Sequence, residues 1–347
     1  MSKVLVIRIS SFGDVAMLVP VIYSVAAKHP RDRFSVMTRK AFVPLFENLG
    51  FNINVIPLDI KQRHKGLRGY FRLTGKLSAM RFSHVADVHD VLRSKGIRYF
   101  LFFTGCKVAH IDKGKKEKRD SIACKKLDTP LKHTMQRYRE VFDKLGFSAP
   151  MAFNNFFDFV PRNLSCLKSV VTEKKGKWIG IAPFSKHRGK IYPLEKMSKV
   201  IDMLSGEDNT TIFLFGSGKE EQKVLSRWVS KYPNTIDLTG KLDLQKEMLL
   251  ISYLDVMLSM DSANMHLASL VQVPVVSVWG ATHPSMGFYG LGQDIANAVQ
   301  IELECRPCSV FGELPCLRDG EDYACMERIA EESVVSGVHR VLKRIDL

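Results

Sequence analysis

Asp261 and Ser262 fall where an apolar, strand-like run leading to Met257 and Leu258 ends, and Met265 to Leu270 just beyond them has helical character. A polar strand-to-helix turn can cap the helix with a side-chain oxygen. It also leaves first-turn backbone N–H groups pointing outward, an arrangement that suits an anion such as a diphosphate. The same pair would serve equally as an ordinary N-cap with no ligand. His266, one turn inside, is of the kind that more often packs in a core. Pro274 closes the helix, and Val275, Val276, Val278 and Trp279 give another short strand ending at Gly280. Such a β-α-β unit belongs in a parallel sheet whose ligands bind beyond the carboxyl ends of the strands.

A second position of chemical interest is Asp14, at the end of the turn Ser10-Ser-Phe-Gly-Asp14 between a strand over residues 3–9 and a helix from Val15 to Lys28. A carboxylate at a helix start is held ionised by the helix dipole, the state a general base needs, although it can also be a simple cap. Seven cysteines, an odd number, argue against a fully paired secreted framework. Cys106, Cys124 and Cys166 are scattered. Cys305-Arg-Pro-Cys308 followed by Cys316 and Cys325 could supply four thiolates to a structural zinc, form a disulfide or remain packed thiols; the second pair lacks a tight spacing.

The elements that must position these residues repeat strand, loop, helix through both halves of the chain. In the first half, strands read at residues 34–37, 53–56 and 84–89, with a helix around Val43 to Leu49 and another between His133 and Leu145. Residues 61–76 read as a basic, loose segment with three glycines, and Lys113 to Lys126 as an exposed loop. In the second half, strands read at 178–182, 211–215 and 235–238, with helices over 194–204, up to Lys231 and over 243–254. Glu331 to Ile345 is amphipathic. The pattern predicts an α/β protein of two doubly wound domains facing across a cleft: residues 1–160, residues 175–330, and a closing helix over 331–347.

At 347 residues with 46% hydrophobic and 25% charged residues, the chain is long enough for two ordinary domains. The apolar run Val15 to Ala27 contains Pro20 and is too short to span a bilayer, and Arg8 interrupts the start a signal peptide would need, so cytoplasmic residence is expected. Net charge is +15, but it is not shared evenly. Residues 1–150 hold 29 Lys and Arg against 12 Asp and Glu, whereas the remainder holds 22 against 24. The first half is thus the one suited to a polyanion: anionic lipid, a phosphorylated glycan or nucleic acid. Few aromatics beyond Tyr70 and Phe71 interleave its basic segment, which disfavours nucleic acid.

Taken together, Ser11-Phe-Gly-Asp14, Lys190-Ile-Tyr-Pro193, Phe215-Gly-Ser-Gly218, Leu238-Thr-Gly240 and Ser259-Met-Asp-Ser262 with His266 resemble the family 9 glycosyltransferases, the ADP-heptose:lipopolysaccharide heptosyltransferases. The resemblance runs over nearly the whole chain in the expected order. It implies the GT-B fold: two Rossmann-like domains, the first for the acceptor and the second for the nucleotide sugar. Ala263 stands where the family commonly has Gly, and Tyr192 where it commonly has Trp.

The implied reaction is an inverting, metal-independent transfer of heptose from ADP-heptose to the inner core of lipopolysaccharide, with no cofactor, at the inner face of the cytoplasmic membrane. Asp14 would take the acceptor proton. Lys190 and Ser185 would meet the diphosphate on one side, and Ser262, Ala263 and nearby N–H groups on the other. Asp261 would bond sugar hydroxyls or orient the loop, and His266 would lie near the donor. Glu220 or Glu221 would hold the ribose, and Gly240 to Leu242 the base. Ser11, Gly13, Lys61, Arg63, Lys65, Arg68, Arg93 and Arg137 would bind an anionic glycolipid acceptor. Two alternatives share the scaffold: a different nucleotide-sugar donor or glycan acceptor, or a polyanion-binding protein without catalysis.

Overall fold

The computed structural model describes residues 1–60, 62–125, 129–316 and 320–345. They divide into one unit of Met1–Lys113 with Lys132–Pro161, and a second of Gly114–Leu131 with Arg162–Leu347. From the sequence, the first unit carries 23 basic against 10 acidic residues and the second 28 against 26, so the positive charge stays with the first.

In chain order the first unit contains β1 (Lys3–Ile7), α1 (Phe12–Lys28), β2 (Arg33–Arg39), β3 (Ile53–Leu58), α2 (Gly66–Ala79), β4 (His84–Asp87), α3 (Leu92–Phe103) and β5 (Lys107–His110). After α4 (Lys115–Cys124), which belongs to the second unit, the chain returns through α5 (Thr134–Lys144). All five strands are parallel, in the order β3-β2-β1-β4-β5. Val4 to Ile7 are fully buried, as expected of a central strand covered on both faces.

The second unit runs β6 (Lys177–Ala182), α6 (Leu194–Ser205), β7 (Thr210–Leu214), α7 (Gly218–Lys231), β8 (Thr235–Asp237), α8 (Leu244–Ile251), β9 (Val256–Met260), α9 (Ala263–Leu270), β10 (Val275–Val278), β11 (Ala298–Val299), α10 (Ala324–Glu327) and α11 (Glu331–Ile345). Its parallel sheet has the order β11-β10-β9-β6-β7-β8. Counted from its own first strand this is the doubly wound order 3-2-1-4-5-6, and the first unit follows it as far as its fifth strand. In each sheet the winding therefore reverses beside the first strand, between β1 and β4 and between β6 and β9. That is where open parallel sheets bind ligands.

Three expectations are corrected. The segment read as loose over 61–76 is in large part α2, because Gly69, Leu73, Thr74 and Leu77 recur at helical spacing and bury one face. Gly69 is needed there: a side chain would collide with the backbone of His64. The stretch read as a loop over 113–126 contains α4, whose Lys118 is buried with its ammonium over the Phe288 ring. The helix expected over 43–49 is a 3-10 helix at Lys40–Leu45, and Pro44 removes a donor that a longer helix would need.

Candidate functional site

Each sheet carries a cation–carboxylate pair at its reversal point. In the first unit, Arg8 follows the last residue of β1 and Asp14 sits in the first turn of α1. The Arg8 guanidinium contacts Asp14 Oδ2 at 2.6 Å, and Ser11 donates to the same oxygen through Oγ at 2.5 Å and N–H at 3.2 Å. A further Arg8 nitrogen donates to the Val88 carbonyl at 2.7 Å, tying β1 to the loop after β4. The Tyr138 hydroxyl donates to the Asp14 carbonyl at 3.1 Å, which fixes the start of α1 from α5.

Burial pushes the Asp14 carboxyl up, but the Arg8 charge and the Ser11 bonds outweigh it, and its pKa lies below the ordinary carboxylate value. His89 lies in the same electrostatic neighbourhood. Burial first, then Arg8 and Lys113, push it down to about 3, so it is neutral near pH 7. Its Nδ1 is buried without a hydrogen-bond partner among the described residues. Behind it, buried Asp87 accepts N–H bonds from His89 and Asp90 and pairs with Arg98 at 3.1 Å.

In the second unit, Ser185 and Lys190 lie in the loop after β6, and Asp261 and Ser262 in the turn after β9. Register brings the two loops together, since Ala182 pairs with Ser259. Lys190 Nζ meets Asp261 Oδ2 at 2.7 Å, and Thr282 Oγ1 donates to the same oxygen at 2.8 Å. Ser185 Oγ donates to the Asp261 carbonyl at 3.2 Å. Asp261 thus orients the loop and holds Lys190, whose ammonium also lies over the Phe288 ring.

Ser262 occupies the N-cap position of α9 but makes no side-chain cap bond; its Oγ instead shares a hydrogen with Ser259 Oγ at 3.1 Å. Of the Asp-Ser pair that could cap the helix, Ser262 thus stands at the N-cap position with its hydroxyl turned to Ser259. Ala263 opens the helix itself, where alanine needs no unusual backbone. His266 is buried on α9, and Gly240 takes a left-handed φ of +69° in the turn after β8. Leu242 beside that turn is half-buried. Glu221 accepts from Ser217 N–H at 2.6 Å and so closes the start of α7, whereas Glu220 is exposed and pairs with Lys223 at 2.9 Å.

Several residues of this site carry little sequence signal. Arg8 is visible only as a charge at the end of an apolar strand, and Thr282 as a polar residue after β10. Glu247, on α8, belongs to no motif. Burial pushes its carboxyl up to about 7, drawn back only partly by the neighbouring Asn264 side chain in the first turn of α9.

Among the expected acceptor residues, Ser11 and Gly13 lie at the start of α1, while Arg63, Lys65 and Arg68 are exposed in or before α2. Arg93 donates to the His64 carbonyl at 2.9 Å, bracing that segment against α3. Lys61 lies outside the described residues. Arg137 is corrected: it is 2% exposed, and its guanidinium donates to the carbonyls of Lys132 and Asp112. It holds the chain in place rather than facing a ligand.

The late cysteines, for which the sequence leaves zinc, a disulfide and packed thiols open, are free thiols in this structure. No three His, Cys, Asp or Glu side chains among the described residues are grouped to hold a metal ion. Cys305, Cys308 and Cys316 are half-buried free thiols, and Cys325 packs in the core beside Met326 and Ile329. Burial pushes the Cys325 thiol up to about 11, far from thiolate character. The residue between the paired cysteines matters more here. Buried Arg306 donates to the carbonyls of Gly280, Ile301 and Thr282 and to Gln300, fastening the turn that presents Thr282 to Asp261. Lys125 in turn donates to the carbonyls of Cys305 and Pro307, both at 3.1 Å.

Comparison with known proteins bears on the fold and the family. The lipopolysaccharide core heptosyltransferase OpsX of Haemophilus influenzae is 22% identical over 292 residues, 80% of this chain and 79% of that one. Lipopolysaccharide heptosyltransferase 1 of Escherichia coli O18:K1:H7 is 22% identical over 313 residues, 87% of this chain and 93% of that one. The structure of E. coli heptosyltransferase WaaC with ADP superposes with a TM-score of 0.67 at 18% identity, covering 98% of this chain and 99% of that one, which supports the GT-B class of fold. The family model for glycosyltransferase family 9 (heptosyltransferase) matches residues 71–314, and the chain belongs to that family of glycosyl-transferring enzymes.

Proposed function

We propose that this chain transfers heptose from ADP-heptose to the inner core of lipopolysaccharide at the inner face of the cytoplasmic membrane, with inversion at the anomeric carbon and without a metal ion. The first unit binds the acceptor and the second the nucleotide sugar. The observation that carries the reading is the Lys190–Asp261 pair beside the uncapped start of α9, in a family 9 chain. A departing diphosphate needs positive charge and hydrogen-bond donors in place before the bond breaks. Lys190 supplies the charge, and Ser185, Ser262 and the first N–H groups of α9 supply donors.

Asp14 is the base that accepts the acceptor hydroxyl proton as that oxygen attacks the anomeric carbon and the nucleotide diphosphate leaves from the opposite face. Its depressed pKa keeps it ionised at neutral pH. The ADP and lipopolysaccharide named for the relatives support this choice of donor and acceptor. His266, Glu220 or Glu221, and the Gly240 to Leu242 turn complete the donor site in it.

Calorimetric titration of ADP, UDP and GDP in the presence of a chelator tests the donor. The expected result is clear preference for ADP. Preference for UDP or GDP would discard the ADP-linked donor while keeping the glycosyltransferase. Binding of none, with or without acceptor, would leave a scaffold without catalysis. Inversion is checked by the anomeric configuration of the product.

A further inference from the structure

Large hydrophobic side chains on the surface of this protein are not scattered evenly. Seven of the fourteen that stand exposed among the described residues lie on α2 and α3 of the first unit. On α2, Leu67 is 76% and Phe71 66% exposed, one turn apart along the helix. On α3, Leu92 is 89%, Tyr99 56% and Phe103 83% exposed, while Ser94, Ile97 and Leu101 point inward. Helical spacing puts Leu92, Lys95, Tyr99 and Phe103 along one stripe.

The two stripes are neighbours. Tyr70 of α2 lies against Gly96 of α3 so closely that any side chain at Gly96 would meet its hydroxyl. Arg93 joins the start of α3 to the His64 carbonyl just before α2. Exposed cations, Arg68, Arg72, Lys76 and Lys95, are interspersed with the apolar residues. A patch of exposed aromatic and aliphatic side chains with interspersed cations is poorly suited to water alone. It matches the boundary of an anionic bilayer, where rings enter the headgroup region and Lys or Arg meets lipid phosphate.

We infer that the joined outer faces of α2 and α3 are a docking surface for an anionic membrane, seating the first unit directly on the bilayer. The inference deepens the proposed function and rests on it for the meaning of the contact: an acceptor anchored in lipid would then be met where the enzyme sits. Leu67 and Leu92 stand at the starts of their helices, which follow the carboxyl ends of β3 and β4. This is the same edge of the sheet that carries Asp14, so the end of the surface formed by Leu67 and Leu92 lies on the side of the acceptor site. No helix among the described residues is long and apolar enough to cross a membrane, and the surface needs none.

The test is co-sedimentation of the full chain with phosphatidylethanolamine vesicles containing about one-third phosphatidylglycerol, against wholly zwitterionic vesicles. The chain is expected to bind the anionic vesicles and to release as salt is raised. Phe71→Ser with Phe103→Ser, and separately Arg72→Glu with Lys76→Glu, should each weaken binding by at least about tenfold. Both double variants should keep their thermal stability and their activity toward a short, lipid-free acceptor.

Failure of the parent chain to bind anionic vesicles, or variants that bind as the parent does, would overturn the assignment. A dimer in sedimentation velocity that dissociates in the Phe variant would instead give the face to a second copy of the chain. Transfer to the lipid-free acceptor reports on the catalytic reading separately. Vesicle binding without transfer sinks that reading alone, and transfer without vesicle binding sinks the surface alone.

Discussion

The two reversal points use the same ingredients in opposite orientation. In the first unit the buried partner is the cation: the Arg8 side chain is 7% exposed and Asp14 31%. In the second unit the buried partner is the carboxylate: Asp261 is 5% exposed and Lys190 12%. The outer group of each pair is the one that can meet a ligand, and the inner group sets its position and charge. One sheet thereby presents a carboxylate able to accept a proton, and the other an ammonium able to meet phosphate. The two units share one strand order and differ in which charge of the pair is buried.

The strongest way to break this comparison is to neutralise the outer group of the first pair. Asp14→Asn keeps the shape and the Ser11 contacts but removes the proton acceptor. Turnover should fall by about 10³-fold, with ADP affinity unchanged by calorimetry. Retained turnover would remove Asp14 from the chemistry and leave it a helix cap.

Next is the outer group of the second pair. Lys190→Ala strands the Asp261 carboxylate in a buried site, so both stability and donor binding should suffer, stability by about 3 kcal/mol. Adding Asp261→Asn should restore much of the melting temperature, because the uncompensated charge is gone, but not the affinity for ADP. If the double variant recovers both, Lys190 acts only through the fold.

Glu247 offers a third, smaller effect in the second unit. Its folded pKa of about 7 lies above the ordinary glutamate value of 4.5, so the folded state holds the proton more tightly than the unfolded chain does. Stability is therefore lost as pH rises from the unfolded pKa through the folded one, and the penalty is complete above pH 7. Glu247→Gln should stabilise the protein at pH 8 by about 2 kcal/mol, allowing for partial exposure, and have little effect at pH 5. Equal melting-temperature changes at the two pH values would refute the raised pKa.

Much of the scaffold was readable because buried parallel strands and amphipathic helices leave strong periodic marks. The run ending at Leu258, the turn at Asp261 and the helix to Leu270 were legible in that way, as was Glu331–Ile345. β5 and β11 were not, being short and, in β5, bounded by polar Lys107 and His110. The loop positions of Asp14 and Lys190, after β1 and β6, were legible because a local motif marks each. The site was opaque where function depends on partners far apart in sequence. Thr282 is 21 residues from Asp261, and Arg306 acts through carbonyls, which have no sequence signature. Arg137 failed for the complementary reason: a helical arginine reads the same whether it faces a ligand or a set of buried carbonyls.

The smallest predicted effect sharpens the comparison most, because it tests the inner group alone. If Arg8 tunes Asp14, replacing it should change when the carboxylate ionises more than whether the enzyme folds. Arg8 is one of the forces holding the Asp14 pKa below its ordinary value, and burial opposes it. With Arg8→Met the Asp14 pKa should rise, so the acidic limb of kcat/KM against pH should move upward by about one unit. The stability linked to Asp14 has the matching sign. With a depressed folded pKa it is present above the unfolded value and lost as pH falls through the folded one, and Arg8→Met should weaken that dependence. Activity at pH 8, well above either limb, should fall much less than activity at pH 4. A uniform loss at both pH values would mean that Arg8 only ties β1 to Val88, and the exchange of buried charge between the two units would be a packing detail rather than the origin of their different chemistry.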